Sequence, residues 1–366
     1  MMSEAIYDVI IIGGGINGAG IARELAFRNI SVLLLEKNQF ASGTSSASSK
    51  LAHGGLRYLE KGDFHLVKEA LRERHYLLKS KPDLVKPIPF LFPVYKNDKR
   101  PPWMIRIGVW LYDFLAGKYV IEKSKWLTPE ETLALEPTLK KENLLGAARY
   151  WDAQMDDKQV CLSTLQEAIT HGAMAYEHTE VIHINAPSVT TKNSITHETK
   201  KYHAKIIINA TGPWTDTVLK SKNRLLKPSK GIHIITKKLT HSHAIVVTNH
   251  IDNRIFFVIP WKEKSLIGTT DTEYPGDMND LHVTEDEIHY LITEINQQFP
   301  HSPLTRNDVI ESFAGVRPLR KETSSREHAI IHHSENFISI IGGKFTTYRA
   351  ISEEVATLIC QKLKLN

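Results

Sequence analysis

The run Tyr7-Asp8-Val9-Ile10-Ile11-Ile12 passes without a break into Gly13-Gly14-Gly15-Ile16-Asn17-Gly18, and this junction limits the fold more than any other stretch of the chain. A continuous β-branched run suits a strand buried on both faces of a parallel sheet. Gly13, Gly15 and Gly18 fall in the G-x-G-x-x-G spacing, Ala22 is small where a helix must press on the sheet, and Ile30 to Leu35 reads as a second strand. Glu36 ends that strand, which completes a βαβ dinucleotide fingerprint. The glycines let the backbone approach a pyrophosphate, whose charge meets the free N–H groups of a helix running from about Asn17 to Arg28. Glu36 then accepts from ribose hydroxyls, and its charge disfavours a phosphorylated ribose such as that of NADP. Asn29 stands at the following turn, where a left-handed residue is needed and Asn tolerates it.

The βαβ unit alone does not choose between FAD and NAD. Phe40 to Lys50 is a polar loop of small residues where an ordinary NAD domain would continue into another helix. Its hydroxyls and backbone N–H groups suit a long cofactor lying extended across a sheet. The 366 residues are enough for two domains with real cores. Cys161 and Cys360 are the only cysteines and stand in no metal-ligand spacing, so neither a disulfide framework nor a metal site is expected, and a reducing compartment fits best. No secretory signal or membrane span is expected, and 46 basic against 41 acidic residues give a net charge of +5, too weak to argue for nucleic acid.

Beyond the loop, Asp63 is placed to cap a helix with Phe64, Val67, Leu71 and Leu78 on one stripe, leaving Lys68, Glu69, Arg72, Glu73 and Arg74 to solvent. The prolines of Lys86 to Pro93 exclude a helix there. Ile206 to Gly212 reads as a buried strand ending in a second cofactor-contacting turn. From Lys230 to Thr272 short strands follow closely, with Lys262-Glu263-Lys264 as a hairpin tip, and predict an antiparallel sheet distinct from the nucleotide domain. A last strand, Phe337 to Ile341, precedes Gly342-Gly343, and a helix from about Thr346 to Leu363 aims its N-terminus at the cofactor.

Eight segments, in order along nearly the whole chain, carry a resemblance. They are Gly13 to Ala22, Gly43 to Lys50, His53 to Glu60, Glu69 to Arg74, Ala210 to Trp214, Ile267 to Asp271, Gly315 to Leu319 and Gly342 to Arg349. Together they resemble the FAD-dependent, quinone-linked sn-glycerol-3-phosphate dehydrogenases. The resemblance implies an α/β fold: a Rossmann-like FAD-binding domain of the glutathione-reductase and D-amino-acid-oxidase type, with an antiparallel β-rich substrate domain. The FAD-binding domain is expected to be discontinuous, over residues 1–80, 150–220 and 310–366, with residues 81–149 and 221–309 forming the substrate domain. Enzymes of this kind usually carry a further helical domain of about a hundred residues beyond Lys344, and since the sequence ends at Asn366 that domain is expected to be missing.

The resemblance also implies the chemistry: sn-glycerol 3-phosphate is oxidised to dihydroxyacetone phosphate by hydride transfer to FAD, and the electrons pass to membrane quinone. A glycerol-3-phosphate oxidase reducing dioxygen, or an FAD-binding module without turnover, stays open beside it. Cofactor contacts fall on Gly13, Gly15, Ile16, Asn17, Gly18 and Glu36 in the first unit, and on Thr44, Ser45, Lys50, Leu51, His53 and Gly54 around the hydroxyl loop. They continue on Ala210, Thr211 and Gly212, then on Gly343, Lys344, Phe345, Thr346 and Thr347. A phosphate dianion calls for cations, and Arg57 and Arg317 are the first candidates, with Tyr58, Thr270 and Lys344 beside them by resemblance. His233 is the candidate base, with Arg317 stabilising the developing alkoxide.

The segment from Lys96 to Lys118 gives the basic excess a location. As a helix over residues 102–117 it places Trp103, Ile107, Trp110 and Phe114 on one stripe and Ile105, Val109 and Tyr112 on another, with Arg106 and Asp113 as a narrow polar line. Periodicity leaves an anionic membrane surface and a buried core equally open. Quinone reduction tips the expectation to a cytoplasmic protein held peripherally on the inner face of the cytoplasmic membrane, and a homodimer is among the assemblies the motifs allow.

Overall fold

In a computed structural model of the chain, residues 6–220, 223–249, 254–323 and 327–365 are described. The first sheet follows from long aliphatic runs. Phe337–Ile341, Thr199–Asn209, Ile6–Ile12, Val32–Leu35 and Met174–Tyr176 lie side by side, all parallel, and Ala329–Ser334 adds an antiparallel edge. Alternation divides each run between two buried faces. Val9, Ile11 and Leu34 pack under helices Ile16–Ala26, Asp157–Thr170 and Tyr348–Lys362. Ile10, Ile12, Leu33 and Leu35 face Val189 on the antiparallel hairpin Thr179–Asn185 and Ser188–Asn193. Burial on both sides is why these strands show no polar alternation. Asn29 takes φ +57° at the turn expected to need it.

The second sheet has ten strands. Its central path runs Leu226–Thr236, Lys264–Gly268, Ile255–Trp261, Ala244–Thr248, Val85–Tyr95 and Leu144–Met155, and every recorded pair is antiparallel except Ala244–Thr248 against Val85–Tyr95. The hairpin tip is confirmed at Lys262 and Glu263, whose φ values of +48° and +58° give the left-handed pair that a tight hairpin needs. The proline-rich segment becomes an eleven-residue strand. It tolerates Pro87, Pro89 and Pro93 because its parallel neighbour spans only Phe90 and Leu91. Helix Glu285–Gln298 covers one face of this sheet through Ile288, Leu291 and Ile295, against Ile232, Ile234 and Ile267.

Sheet membership departs from a division by sequence alone. Val309–Arg320 pairs along its length with Leu226–Thr236, with one register shift at Ile235/Thr236, and Leu144–Met155 pairs with Val85–Tyr95, so both strands lie in the second sheet although the expected boundaries at 310 and 150 cut through them.

Helix Phe64–Ser80 corrects three expectations. Asp63 occupies its N-cap, but the side chain makes no capping bond, and Phe64 is exposed. Glu73 and Arg74, assigned to solvent by periodicity, are fully buried because charged partners from distant segments meet them inside the protein. Helix Pro102–Ala116 resolves its two stripes: Ile105, Val109, Tyr112 and Ala116 enter the core, while Trp103, Ile107, Trp110 and Phe114 are 64%, 54%, 63% and 69% exposed. A wholly buried core helix is therefore excluded.

Candidate active site

The glycine cradle has a steric reason for each residue type. Gly13 has φ +108°, and a Cβ there would lie 2.7 Å from the Ala210 carbonyl oxygen, while one on Gly18 would lie 1.9 Å from the Gly13 carbonyl oxygen. Neither position admits a side chain. Glu36 accepts from the Gly14 N–H at 2.7 Å and the Asn38 N–H at 2.8 Å, and each oxygen keeps lone-pair capacity for a hydroxyl. Asn17 Oδ1 is buried without a hydrogen-bond partner beside this cradle. Gly342 and Gly343, at φ +71° and +85°, carry the chain close to it, since a Cβ on Gly343 would lie 3.8 Å from Asn17 Nδ2. The turn Phe345–Thr347, with Thr346 and Thr347 buried, starts there and leads into helix Tyr348–Lys362. Two helix N-termini thus open beside one glycine-lined space, with an unsatisfied amide oxygen and an acceptor carboxylate at hand. These features fit a dinucleotide cofactor.

Ala210 is hydrogen-bonded through its N–H to Ile12, Thr211 donates its hydroxyl to Asn209 Oδ1 at 2.6 Å, and Gly212 turns at φ +55°. The hydroxyl loop is built as an ordered layer. Ser45 Oγ accepts from the Ile16 N–H at 2.9 Å, and Thr44 Oγ1 donates to the Val316 carbonyl at 2.9 Å. Lys50, at φ +56°, donates to the Ser46 carbonyl at 2.8 Å and to Asp157 Oδ1 at 2.5 Å. Asp157 is fully buried and also receives the Ser48 hydroxyl at 2.6 Å, so one carboxylate holds both ends of the turn. Leu51 then begins a two-residue strand against Gln154 and is buried in the second core.

Period-two geometry assembles the catalytic candidates. Along Val309–Arg320, residues Phe313, Gly315 and Arg317 share one face, paired with His233, Gly231 and Ser229 respectively, while Ile232 and Ile234 point to helix Glu285–Gln298. The two glycines leave room: a Cβ on Gly315 would strike the Ala47 carbonyl at 2.6 Å, and one on Gly231 would strike Arg317 Nη2 at 2.4 Å. The hydroxyl loop therefore lies directly on this face. Arg317 is held by four acceptors: Ser229 Oγ and Asp271 Oδ1 on Nη1, both at 3.3 Å, and Thr269 Oγ1 and the Thr270 carbonyl on Nη2, both at 2.9 Å. Thr270 Oγ1 accepts from the Ile232 N–H at 3.0 Å. His233 is 3% exposed, stacks on Phe313 at 5.0 Å between ring centroids, and has Nε2 at 2.9 Å from Ser49 Oγ. Burial, then the Arg317 charge, then the Lys50 charge push its imidazole down to about 3, so it is neutral at physiological pH.

The remaining candidates lie on the segment after the loop. Gly54 donates its N–H to Asp152 Oδ1 at 3.1 Å, and Gly55 takes φ +77° into the turn Leu56–Lys61. Tyr58 of that turn lies beneath Lys344, whose Nζ is 3.7 Å from the ring centroid, which joins the His53-to-Glu60 and Gly342-to-Arg349 segments. Arg57 is exposed on the same turn; the hydrogen bond from Arg100 holds the Glu60 carboxyl below its ordinary range, and the Arg57 charge adds to that lowering. His53 is half-buried between Ala52 and Gly54.

Several site-building residues escaped a reading of motifs. Asp157 and Asp152 lie in a polar cluster, Tyr150 to Asp157, but nothing local says that they hold loops a hundred residues earlier. Asp152 also takes Arg74 Nη1 at 2.8 Å and the Tyr112 hydroxyl at 2.9 Å, so the Gly54 turn, helix Phe64–Ser80 and helix Pro102–Ala116 meet at one buried carboxylate. Asp271, Thr269 and Ser49 sit inside quoted motifs, and pairing geometry gives them their partners.

The chain matches the FAD dependent oxidoreductase family model over residues 8–358. It is 38% identical to a glycerol-3-phosphate dehydrogenase of Synechocystis sp., over 99% of this chain and 71% of that one. A D-erythritol 1-phosphate dehydrogenase of Brucella abortus is also 38% identical, over 94% of this chain and 72% of that protein. Among solved structures, the glycerol-3-phosphate dehydrogenase of Bacillus halodurans complexed with FAD superposes with a TM-score of 0.81 at 34% identity, covering 100% of this chain and 66% of that one. This chain thus spans about two thirds of the length of these relatives. Cradle, hydroxyl loop and matched relatives agree, and the chain belongs to the FAD-dependent oxidoreductases, in the branch that contains the glycerol-3-phosphate dehydrogenases.

Proposed function

We propose that this protein oxidises sn-glycerol 3-phosphate to dihydroxyacetone phosphate and passes the electrons to a membrane quinone. Bound FAD supplies the hydride acceptor. One observation carries the reading beyond family membership: Arg317, a guanidinium fixed by four acceptors, shares a strand face with Phe313, on which His233 stacks, directly under the hydroxyl loop. A preorganised cation beside a neutral imidazole is what alcohol oxidation needs, since negative charge gathers on the substrate oxygen as hydride leaves carbon. Arg317 stabilises that charge, and the phosphate is gripped by Arg317 with Arg57 and Lys344, Tyr58 and Thr270 completing the pocket.

The phosphate dianion also counters the cations that depress His233, so substrate itself raises the proton affinity of the base. Gly13 to Gly18, Glu36, Thr44, Ser45, Lys50 to Gly54, Ala210 to Gly212 and Gly343 to Thr347 hold the cofactor in this reading.

The exposed stripe Trp103, Ile107, Trp110 and Phe114, flanked by exposed Lys96, Lys99 and Lys118, supports peripheral attachment to an anionic membrane, where quinone is available. Among the described residues no helix is long and apolar enough to cross a membrane.

The test is turnover of FAD-loaded protein with sn-glycerol 3-phosphate and a short-chain quinone. Dihydroxyacetone phosphate and quinol formed one to one support the proposal. Peroxide in place of quinol selects an oxidase, and an absence of product contradicts the reading. The equal identity to an erythritol 1-phosphate enzyme makes that longer polyol phosphate the necessary competitor, and a higher kcat/KM for it would move the substrate assignment.

A further inference from the structure

His233 is only 3% exposed. Its ring stacks on Phe313 with planes 17° apart, and the Gly268 backbone lies so close that a Cβ there would be 2.4 Å from Cδ2. Nδ1 is buried and has no hydrogen-bond partner among the described residues, so none of them is placed to exchange a proton with it. Nε2 is the ring nitrogen with a partner, and the atom in front of it is the hydroxyl oxygen of Ser49, at 2.9 Å. Ser49 itself is half-buried on the hydroxyl loop, between Ser48 and Lys50, both anchored on Asp157. The loop cannot slide away from His233 without breaking those bonds.

We infer that Ser49 carries the proton between the substrate alcohol and His233, and that its hydroxyl fixes the imidazole in the tautomer whose lone pair is on Nε2. This rests on the dehydrogenase reading above. The alcohol O–H bond breaks and its proton joins Ser49 Oγ, while the Ser49 proton passes to Nε2. The C–H electron pair leaves carbon as hydride for the flavin, and the C–O bond becomes the carbonyl of the product. Ser49 ends neutral, His233 ends protonated, and Arg317 faces the oxygen as charge passes through it. A direct transfer to His233 would require the ring to leave its stack with Phe313 or Ser49 to vacate its place.

Two measurements decide it, one of them without substrate. In histidine-15N-labelled FAD-loaded protein, the resonance missing from His233→Asn should report a single neutral tautomer, protonated on Nδ1 and bare on Nε2, and Ser49→Ala should scramble it. A wild-type ring protonated on Nε2 would overturn the inference.

In anaerobic stopped flow, Ser49→Ala should reduce its flavin about 100-fold more slowly than wild type at equal FAD content, and Ser49→Thr should recover most of the rate. Unaltered flavin reduction in Ser49→Ala would also overturn it. Wild-type protein that is not reduced by sn-glycerol 3-phosphate, yet shows the Nε2 lone pair, would contradict the proposed substrate and leave the Ser49–His233 tautomer assignment standing.

Discussion

The carboxylate of Glu73 receives Arg349 Nε at 2.9 Å and Nη2 at 2.7 Å, a two-point clasp between helix Phe64–Ser80 and the helix that begins beside the cofactor cradle. Glu73 is completely buried, whereas the Arg349 side chain is 17% exposed and also pairs with Glu353. Glu73→Ala removes the buried end of the clasp and leaves Arg349 with the Glu353 carboxylate and partial exposure, so it should lower stability by about 2 kcal/mol, read from the urea midpoint, while Glu73→Gln, which keeps one acceptor and the volume, should lose less. Equal stability of wild type and Glu73→Ala would contradict the clasp.

Gly18 and Gly108 make a matched pair of glycine tests. A methyl on Gly18 meets the Gly13 carbonyl oxygen at 1.9 Å, whereas one on Gly108, within helix Pro102–Ala116, meets nothing within 4 Å. Gly18→Ala should weaken FAD binding by at least about 100-fold, about 2.7 kcal/mol, by forcing the cradle open. Gly108→Ala should raise stability by up to about 1 kcal/mol and leave FAD content unchanged. FAD titration and thermal unfolding of both variants check the contrast.

The first sheet and its cradle were legible in the sequence because they are written locally. Val9 to Ile12 pair with Val32 to Leu35, and the Gly14 N–H meets Glu36, all within thirty residues, so spacing states that part of the geometry, whereas the pairing with Thr199–Asn209 and the Gly13 approach to Ala210 are long-range. The stripe of Pro102–Ala116 was legible as a pattern, but which face was inside required the second sheet to pack against Ile105, Val109 and Tyr112. Glu73 and Arg74 were misread for a related reason. Helical periodicity treats a charge as solvent-seeking, whereas Arg349 and Asp152, on segments far away in the chain, supply opposite charges that make burial of Glu73 and Arg74 stable. The same holds at the proposed catalytic face, where Arg317 and His233 are expected from the sequence, but Asp271, Thr269, Ser49 and Asp157 gain their partners only when strands and loop come together.

Helix Pro102–Ala116 supplies a surface test that spares the core. Trp103 and Trp110 are about two-thirds exposed, so Trp103→Glu with Trp110→Glu should change stability by no more than about 0.5 kcal/mol for each substitution. The double variant should lose flotation with anionic liposomes, and rising salt should weaken wild-type binding because Lys96, Lys99 and Lys118 contribute. Undiminished flotation of the variant would remove this helix from the membrane account.

The depressed imidazole of His233 predicts an acid-side loss of stability. Its folded value lies near 3 and its ordinary value at 6.5, so below 6.5 the unfolded chain binds a proton that the folded protein refuses. Stability from this group is fully present above 6.5 and falls by about 1.4 kcal/mol per pH unit as pH drops toward 3. His233→Asn should flatten that slope between pH 6.5 and 4.5 in urea titrations, and parallel curves for variant and wild type would contradict the buried neutral ring.

In the proposed reaction the face carrying Arg317 and His233, set against the glycine cradle, delivers hydride from a phosphorylated secondary alcohol to bound FAD. Anaerobic mixing of FAD-loaded protein with sn-glycerol 3-phosphate tests it most directly. The flavin's visible absorbance should bleach by one two-electron equivalent per substrate consumed, with Arg317→Ala retaining FAD but losing the bleaching at substrate concentrations that suffice for wild type. A flavin that stays oxidised in wild-type protein at high substrate concentration would contradict the account.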